Sequence, residues 1–366
     1  MESERERALR IALWMVRGIS AQAIDRIAGQ DFVGTCLGDR RALAEAMALR
    51  EGGREALLAA PPDLAAWAAA QEAALRSRGG RFVLRGEAGY PHLGTLDDRP
   101  EVLSVRGDLC GAGGGALPRA VAVIGSRRAD PGTVGLARRF GAALARAGFT
   151  VVSGGALGID AAAHEGALEA GGETVAVLGS GLLRPTPARN RGLFARILAA
   201  GGGLCSELPP GEGAMKWHFP RRNRLVAALA RAVVVVRAAA GSGCFHTVDA
   251  AHRLGRQVIA VPAPAVGARN AYGEALLRGE GDRPPASPAG DVDELLALFG
   301  RQRERPVAAG LEPEEQQVLS ALGEAPAPLG AIAAAVGIEA GVAARILARL
   351  CARGLARAAG PGRFAA

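Results

Sequence analysis

The chain has a single lysine, Lys216, among 44 basic residues. A P-loop needs a lysine straight after its second glycine, in G-x-x-x-x-G-K-[ST]. Lys216 is followed by Trp217, so ATP hydrolysis of the P-loop kind is excluded. The dinucleotide fingerprint G-x-G-x-x-G is absent as well. The five cysteines stand apart at positions 36, 110, 205, 244 and 351, with no C-x-x-C pair. They read as reduced thiols, not as a disulfide frame or a zinc site. No apolar run approaches the roughly 20 residues that span a bilayer, so no membrane partner is expected. The opening stretch, Met1 to Arg7, is charged with mixed sign, unlike a signal peptide. A cytoplasmic protein is the expectation. No triad, carboxylate dyad or metal-ligand set stands at a recognisable spacing, so the reading is of a non-enzyme without metal or cofactor.

Positive charge is abundant but concentrated in one region. Residues 120–264 hold 17 Lys/Arg against 8 Asp/Glu, a net +9, while the remainder holds 27 against 28. A basic domain of this kind favours polyanions, nucleic acid first.

That same region sets the fold. Val121-Ala122-Val123-Ile124 is a short strand without a polar residue, followed at once by Gly125-Ser126-Arg127-Arg128. Asp130-Pro131 then opens a helix, Asp as N-cap and Pro where no amide hydrogen is needed. A strand, a glycine turn and a helix N-terminus make a phosphate site, because free N–H groups and the positive helix end face the anion. Arg127 and Arg128 add bidentate donors. The unit recurs at 149–164, 174–181, 204–224, 233–243 and 257–262. Six apolar strands alternating with helices predict a parallel α/β sheet whose ligands bind at the strand C-termini.

Three stretches carry the candidate site besides Gly125, Ser126, Arg127 and Arg128. Ser153 and Gly154 form the second glycine turn. Lys216-Trp217-His218-Phe219-Pro220-Arg221-Arg222-Asn223-Arg224 interleaves aromatics with cations, as single-stranded nucleic acid requires: bases stack while phosphates meet charge. Of these, Lys216, Phe219, Arg221, Arg222, Asn223 and Arg224 are the binding candidates. Trp217 or Phe219 could each be core, and Arg224 could pair with Glu207. Ser242 and Gly243, with Thr247, open a further helix suited to phosphate or ribose. Asp160 and His164, four apart on a helix, suit a hydrogen bond that fixes the second glycine turn better than a metal pair. His246, Asp249 and His252 lack a nucleophile at a known spacing.

Outside the sheet, residues 1–78 read as an N-terminal helical domain, SAM-like or helix–hairpin–helix-like with a turn at Gly18. The pieces Arg81–Leu84 and Val102–Val105 are expected to add strands to the sheet edge. Residues 79–300 form the main domain; from 265 to 310 the chain reads mostly as loop or linker, with one short helix around Val292–Phe299. A linker at 301–310 leads to 311–366, where three helical patterns and a hairpin predict a winged helix-turn-helix. That tail has five Arg against five Glu, which argues against strong DNA binding by it.

Val-Ala-Val-Ile-Gly-Ser-Arg-Arg (121–128), Ser-Gly-Gly-Ala-Leu-Gly-Ile-Asp-Ala-Ala-Ala-His (153–164), Ser-Glu-Leu-Pro-Pro-Gly (206–211) and Phe-Pro-Arg-Arg-Asn-Arg (219–224) together resemble the DprA/Smf family of DNA-processing proteins of natural transformation. Tyr90-Pro91, Val105–Asp108, Gly255-Arg256 and Val261-Pro262 extend the resemblance over about 90–262. It implies an α/β, extended Rossmann-like sheet flanked by a helical N-terminal domain and a winged-helix tail. It also implies a homodimer that binds and protects incoming single-stranded DNA and loads a RecA-type recombinase, without catalysis. Positions that depart from the family pattern are Arg184, Arg237, Cys244, Val248 and Ala263, with the segment after the sixth strand only loosely kept. Two other readings exist: a LOG-like nucleotide phosphoribohydrolase using Asp249, and a nucleotide-sensing regulator acting on duplex through the tail.

Overall fold

The computed structural model describes residues 2–28, 32–109, 119–239, 242–266, 270–280, 283–299, 313–322, 327–352, 356–358 and 363–365. The valine-rich runs become the parallel centre of a nine-stranded sheet. Strand β3 (Ala120–Gly125) pairs in parallel with β4 (Thr150–Ser153) on one side and β7 (Ala232–Arg237) on the other. The chain steps outward from β4 to β5 (Thr174–Val177) and β6 (Gly203–Ser206), then returns past β3 to β7 and β8 (Gln257–Ala260). Strand β9 (Ser287–Pro288) adds to β8 in parallel. The hairpin β1 (Gly80–Leu84) and β2 (Val102–Gly107) joins β6 antiparallel, as the extended pieces in the sequence predict. The reversal of direction beside β3 leaves a crevice outside the C-termini of β3, β4 and β7, where ligands of open α/β sheets bind.

Both sheet faces are covered, which is why these strands are apolar throughout rather than alternating. On one face Val121 and Val123 pack under α7 (Pro131–Arg146) and α8 (Ile159–Glu169). These two helices touch backbone to backbone: a Cβ at Gly141 would meet the Ala163 carbonyl, and one at Gly166 the Arg138 carbonyl. On the other face Ala120, Ala122 and Ile124 pack under α10 (His218–Ala228) and α11 (Cys244–Arg253). Helix α9 (Arg191–Ala199) covers β5 and β6 on the α8 side.

The N-terminal residues form α1 (Glu2–Met15), α2 (Ala21–Asp25), α3 (Phe32–Leu37), α4 (Arg40–Ala46), α5 (Glu51–Leu58) and α6 (Leu64–Arg76). Ser20, Asp39 and Asp63 cap α2, α4 and α6 through their side chains. These helices share one core with the β1–β2 hairpin, β6 and α9. Glu101, 1% exposed, fastens them to that hairpin by accepting from Arg10 (2.6 Å) and Arg85 (2.8 Å).

The stretch expected to be loop after residue 265 contains a second helix, α12 (Ala271–Arg278), ahead of α13 (Val292–Ala297). Buried Asn270 is the reason. Its Oδ1 accepts from Gly273 N and Ala238 N, and its Nδ2 donates to the Val236 and Val261 carbonyls. One amide thereby caps the helix and satisfies two strand ends.

The tail holds α14 (Pro313–Ala321), β10 (Ala327–Pro328), α15 (Leu329–Val336), α16 (Ala340–Ala352), β11 (Arg357–Ala358) and β12 (Arg363–Ala365). Three helices and a small sheet in the order β10-β12-β11 give the expected winged helix around Val318, Ile332, Ile346, Leu347 and Leu350. The linker expected at 301–310 lies outside the described residues. Among the described residues no single helix is long and apolar enough to cross a membrane.

Candidate nucleic-acid interface

The turn after β3 is built to hold its side chains outward. Gly125 is required there: a Cβ would collide with the Arg237 carbonyl and the Ile159 side chain. Ser126 N donates to the Arg237 carbonyl (2.8 Å), and the Ser126 carbonyl accepts from Ile159 N (3.2 Å). Ser126 Oγ accepts from Arg128 N (3.1 Å) and donates to the Arg128 carbonyl (2.9 Å). With the backbone so satisfied, the Arg127 and Arg128 side chains project into solvent. Asp130 caps α7 by accepting from Thr133 N (2.9 Å) and Thr133 Oγ1 (2.7 Å), and it pairs with Arg237. The Thr133 hydrogen bonds hold the Asp130 carboxyl below its ordinary value.

Beside this turn lies a cavity of about 630 Å³ at the predicted crevice. Gly125, Ser126, Arg127, Arg128, Gly154, Lys216, Phe219, Arg222, Asn223, Ser242, Gly243 and Thr247 all line it, so the three stretches singled out in the sequence converge. Ile124, Ala156, Asp160, Pro220, Val226, Ala239 and Cys244 complete the wall. The Arg127 guanidinium sits 4.8 Å from the centre of the Phe219 ring, a cation–π distance. Arg127, Arg128 and Lys216 have no ion-pair partner among the described residues.

The floor is a buried clamp. Arg222 donates to the Gly154 carbonyl (2.6 Å), to the Val177 carbonyl, and through Nε to Asn223 Oδ1 (3.1 Å). Asn223 Nδ2 donates to the Gly243 carbonyl (2.9 Å). Two adjacent side chains thus tie together the ends of β4 and β5 and the start of α11. Burial lowers Arg222 to about 10, against the pull of Asp160, so it stays charged at neutral pH. Burial raises the Asp160 carboxyl, while Arg222 and the Ala156 amide work against that. Burial also raises the Cys244 thiol to about 11, which keeps it protonated and unreactive.

Three predicted contact residues do not reach the cavity. Ser153 is buried behind Gly154 and donates to the Val123 carbonyl (2.6 Å). Arg224 is buried in a bidentate pair with Glu207 (2.7 and 2.8 Å) and also holds Asp98 through Nε (2.6 Å). Arg221 is exposed but turned toward Glu207 (3.2 Å). The cause is helical geometry: 219, 222, 223 and 226 share one face of α10, and 221 and 224 point elsewhere. The run 219–224 is continuous in sequence, and the division appears only once it is wound into α10, whose start no capping side chain marks.

Asp160 and His164 also diverge. Asp160 accepts from Ala156 N (3.3 Å), fixing the second glycine turn, while His164 Nδ1 meets Thr174 Oγ1 (2.6 Å) on β5. Asp249 is paired with Arg283 (2.9 Å) and does not line the cavity. Residue 241, the glycine that precedes Ser242 and Gly243 in their turn, lies outside the described residues.

The fold and cavity define a class: Rossmann-like α/β proteins with a basic crevice at the switch point of the sheet and an appended winged helix. Residues 81–283 match the family model described as DNA recombination-mediator protein A, and 301–350 match the DprA winged helix domain model. The chain belongs to the DprA/Smf family. A DprA relative in Mycobacterium tuberculosis is 42% identical over 227 residues, 60% of this chain and 58% of that protein, so less than two thirds of its length is spanned. The structure of DNA processing protein A from Streptococcus pneumoniae superposes with a TM-score of 0.64 at 27% identity, covering 79% of this chain and 97% of that one. DNA processing protein A from Helicobacter pylori, described for its single-stranded DNA binding mode, gives 0.51 at 26% identity over 60% of this chain and 95% of that one.

Proposed function

We propose that this protein binds single-stranded DNA in the cavity beside β3, protects it, and loads a RecA-type recombinase onto it as a homodimer in the cytoplasm, without chemistry of its own. The observation that carries the reading is the cavity mouth. There Arg127, Arg128 and Lys216, without ion-pair partners among the described residues, offer charge for phosphates beside the Phe219 ring, which offers a face to a base. Charge with an aromatic face suits unpaired strands, because a duplex keeps its bases stacked inside. The domain boundaries 1–78, 79–300 and 311–366 belong to this proposal, with strand binding assigned to the middle part. The H. pylori relative's single-stranded DNA binding supports it.

Gel shifts of a single strand and a blunt duplex at several salt concentrations test the binding. The strand should bind far more tightly, with little sequence preference. Its affinity should fall with salt at a slope of roughly 0.7 per phosphate neutralised. Equal affinity for duplex, or no salt response, would sink the reading. Loading is tested by whether the protein speeds recombinase assembly on a strand already coated by a single-strand binding protein. No acceleration would leave the protein a strand binder only.

A further inference from the structure

Strand binding in the cavity does not by itself account for the loop at its mouth. Among the described residues only three large apolar side chains are exposed: Leu58 (43%), Met215 (39%) and Trp217 (56%). Single exposed apolar residues need no explanation. Two of these three, however, flank Lys216 at the cavity mouth. They do not belong to a flexible strand of chain. His218 Nδ1 accepts from Met215 N (3.1 Å), His218 N donates to the Met215 carbonyl (3.0 Å), and Arg221 N donates to the Trp217 carbonyl (3.4 Å). Trp217 stands at the N-terminus of α10, its indole edge-to-face with the His218 ring at 5.3 Å and 73°. The imidazole fixes the attitude of the indole while more than half of its surface stays in water.

Two cations stand by it, while the nearby carboxylates Glu212 and Glu207 are paired, with Arg17 (3.3 Å) and with Arg224 and Arg221. Lys216 precedes Trp217, and the Arg184 guanidinium comes within 4.0 Å of where a Cβ on Gly213 would sit, in the same loop. Neither cation has an ion-pair partner among the described residues. Phe219, with Arg127 against its ring, lines the cavity together with Lys216. Two aromatic rings two residues apart, Phe219 in the cavity wall and Trp217 outside it, therefore follow directly on the chain's only lysine, Lys216, which also lines the cavity.

We infer that Trp217 is a second stacking platform, which takes the base of a nucleotide outside the cavity while Lys216 and Arg184 meet its phosphates. This rests on the strand-binding reading and gives the strand a direction of exit, across the 213–217 loop toward the turn after β5. An indole recognises any base by its face, so the platform carries no sequence preference. A duplex offers no open base face and gains nothing from it.

Intrinsic fluorescence tests this on the full chain. Trp14 is packed edge-on to Phe82 at 5.6 Å and Trp67 lies on α6, so Trp217 is the exposed reporter. A short oligothymidylate should quench the emission saturably, and Trp217→Phe should abolish the quench. By anisotropy of a labelled oligothymidylate, Trp217→Phe should bind nearly as well as wild type. Trp217→Ala should bind roughly tenfold more weakly, the scale of one lost stacked base, with an unchanged melting temperature. Binding to a blunt hairpin should not change. Wild-type affinity in Trp217→Ala, or wild-type emission unmoved at saturation, overturns the platform while leaving strand binding intact. A wild-type chain that does not bind the oligothymidylate overturns the strand-binding reading itself, and the platform with it.

Discussion

Arg127 and Phe219 come together across 92 positions of sequence, the guanidinium 4.8 Å from the ring centre. The pair joins the turn after β3 to the first turn of α10 at the mouth of the cavity. Arg127 is exposed and makes no ion pair among the described residues, so its removal should not unfold the chain. Arg127→Ala should weaken strand binding by about 1.5–3 kcal/mol, the scale of a charged hydrogen bond, with the melting temperature unchanged. Phe219→Ala should also weaken binding, and the double variant should lose less than the sum of the two because the residues are in contact. Strict additivity in that cycle would show the contact to be incidental.

Arg224 is the opposite case, an arginine of the same segment that serves the fold. Its side chain is 9% exposed and forms a bidentate pair with Glu207, itself buried. Pairing with Glu207 and Asp98 raises Arg224 above its ordinary value although burial lowers it. Removing one partner of a buried pair strands the other charge, at a cost of about 3–5 kcal/mol. Arg224→Ala should therefore show a large drop in urea unfolding free energy, and Glu207→Ala a similar one. An Arg224→Ala chain of normal stability that binds DNA poorly would return Arg224 to the interface.

The contrast shows what was legible in the sequence. Strand residues that are apolar on both faces announce a covered parallel sheet, and the glycine turns after them mark its ligand edge. The convergence of 125–128, 154, 216–223 and 242–247 followed from that one inference. Which arginine of Arg221, Arg222 and Arg224 faces the cavity did not follow, because the boundary of α10 decides it and the sequence has no N-cap there: Trp217 occupies that position without a capping side chain. Helix α12 was hidden for a related reason. Its cap, Asn270, acts through long-range bonds to β7 and β8, which no local pattern displays.

Asp249 separates the binding reading from the hydrolase alternative. Its Oδ1 takes Arg283 Nε at 3.0 Å and Nη2 at 2.9 Å, and it is not part of the cavity wall. A general acid or base must come within about 2.6–3.2 Å of its proton partner. The purified protein should release no base from nucleoside monophosphates, and Asp249→Asn should bind DNA as wild type does. Base release that vanishes in Asp249→Asn would promote the enzyme.

His164 gives the protein a pH signature that comes from folding and not from binding. The Thr174 hydroxyl donates its one hydrogen to the Val151 carbonyl at 2.6 Å. It can therefore only accept from His164 Nδ1, at 2.6 Å, which places the ring proton on Nδ1. Nε2 is left bare, buried and without a partner among the described residues. A second proton there would be a buried donor with no acceptor, in the field of Arg222. Burial first, and Arg222 second, push His164 down to about 3. In the unfolded chain the ring titrates near 6.5. Above that value neither state binds the extra proton and pH has no leverage through His164. Below it the unfolded state takes up a proton that the folded state refuses, so stability falls by roughly 1.4 kcal/mol per pH unit until pH nears the folded value. His164→Gln should be less stable than wild type at pH 7, because it disturbs a packed site. The gap between the two should shrink at that slope on acidification below 6.5. Urea unfolding of both proteins from neutral to acidic pH measures it, and groups common to both cancel in the difference. A gap that stays constant would mean that His164 accepts its second proton inside the fold.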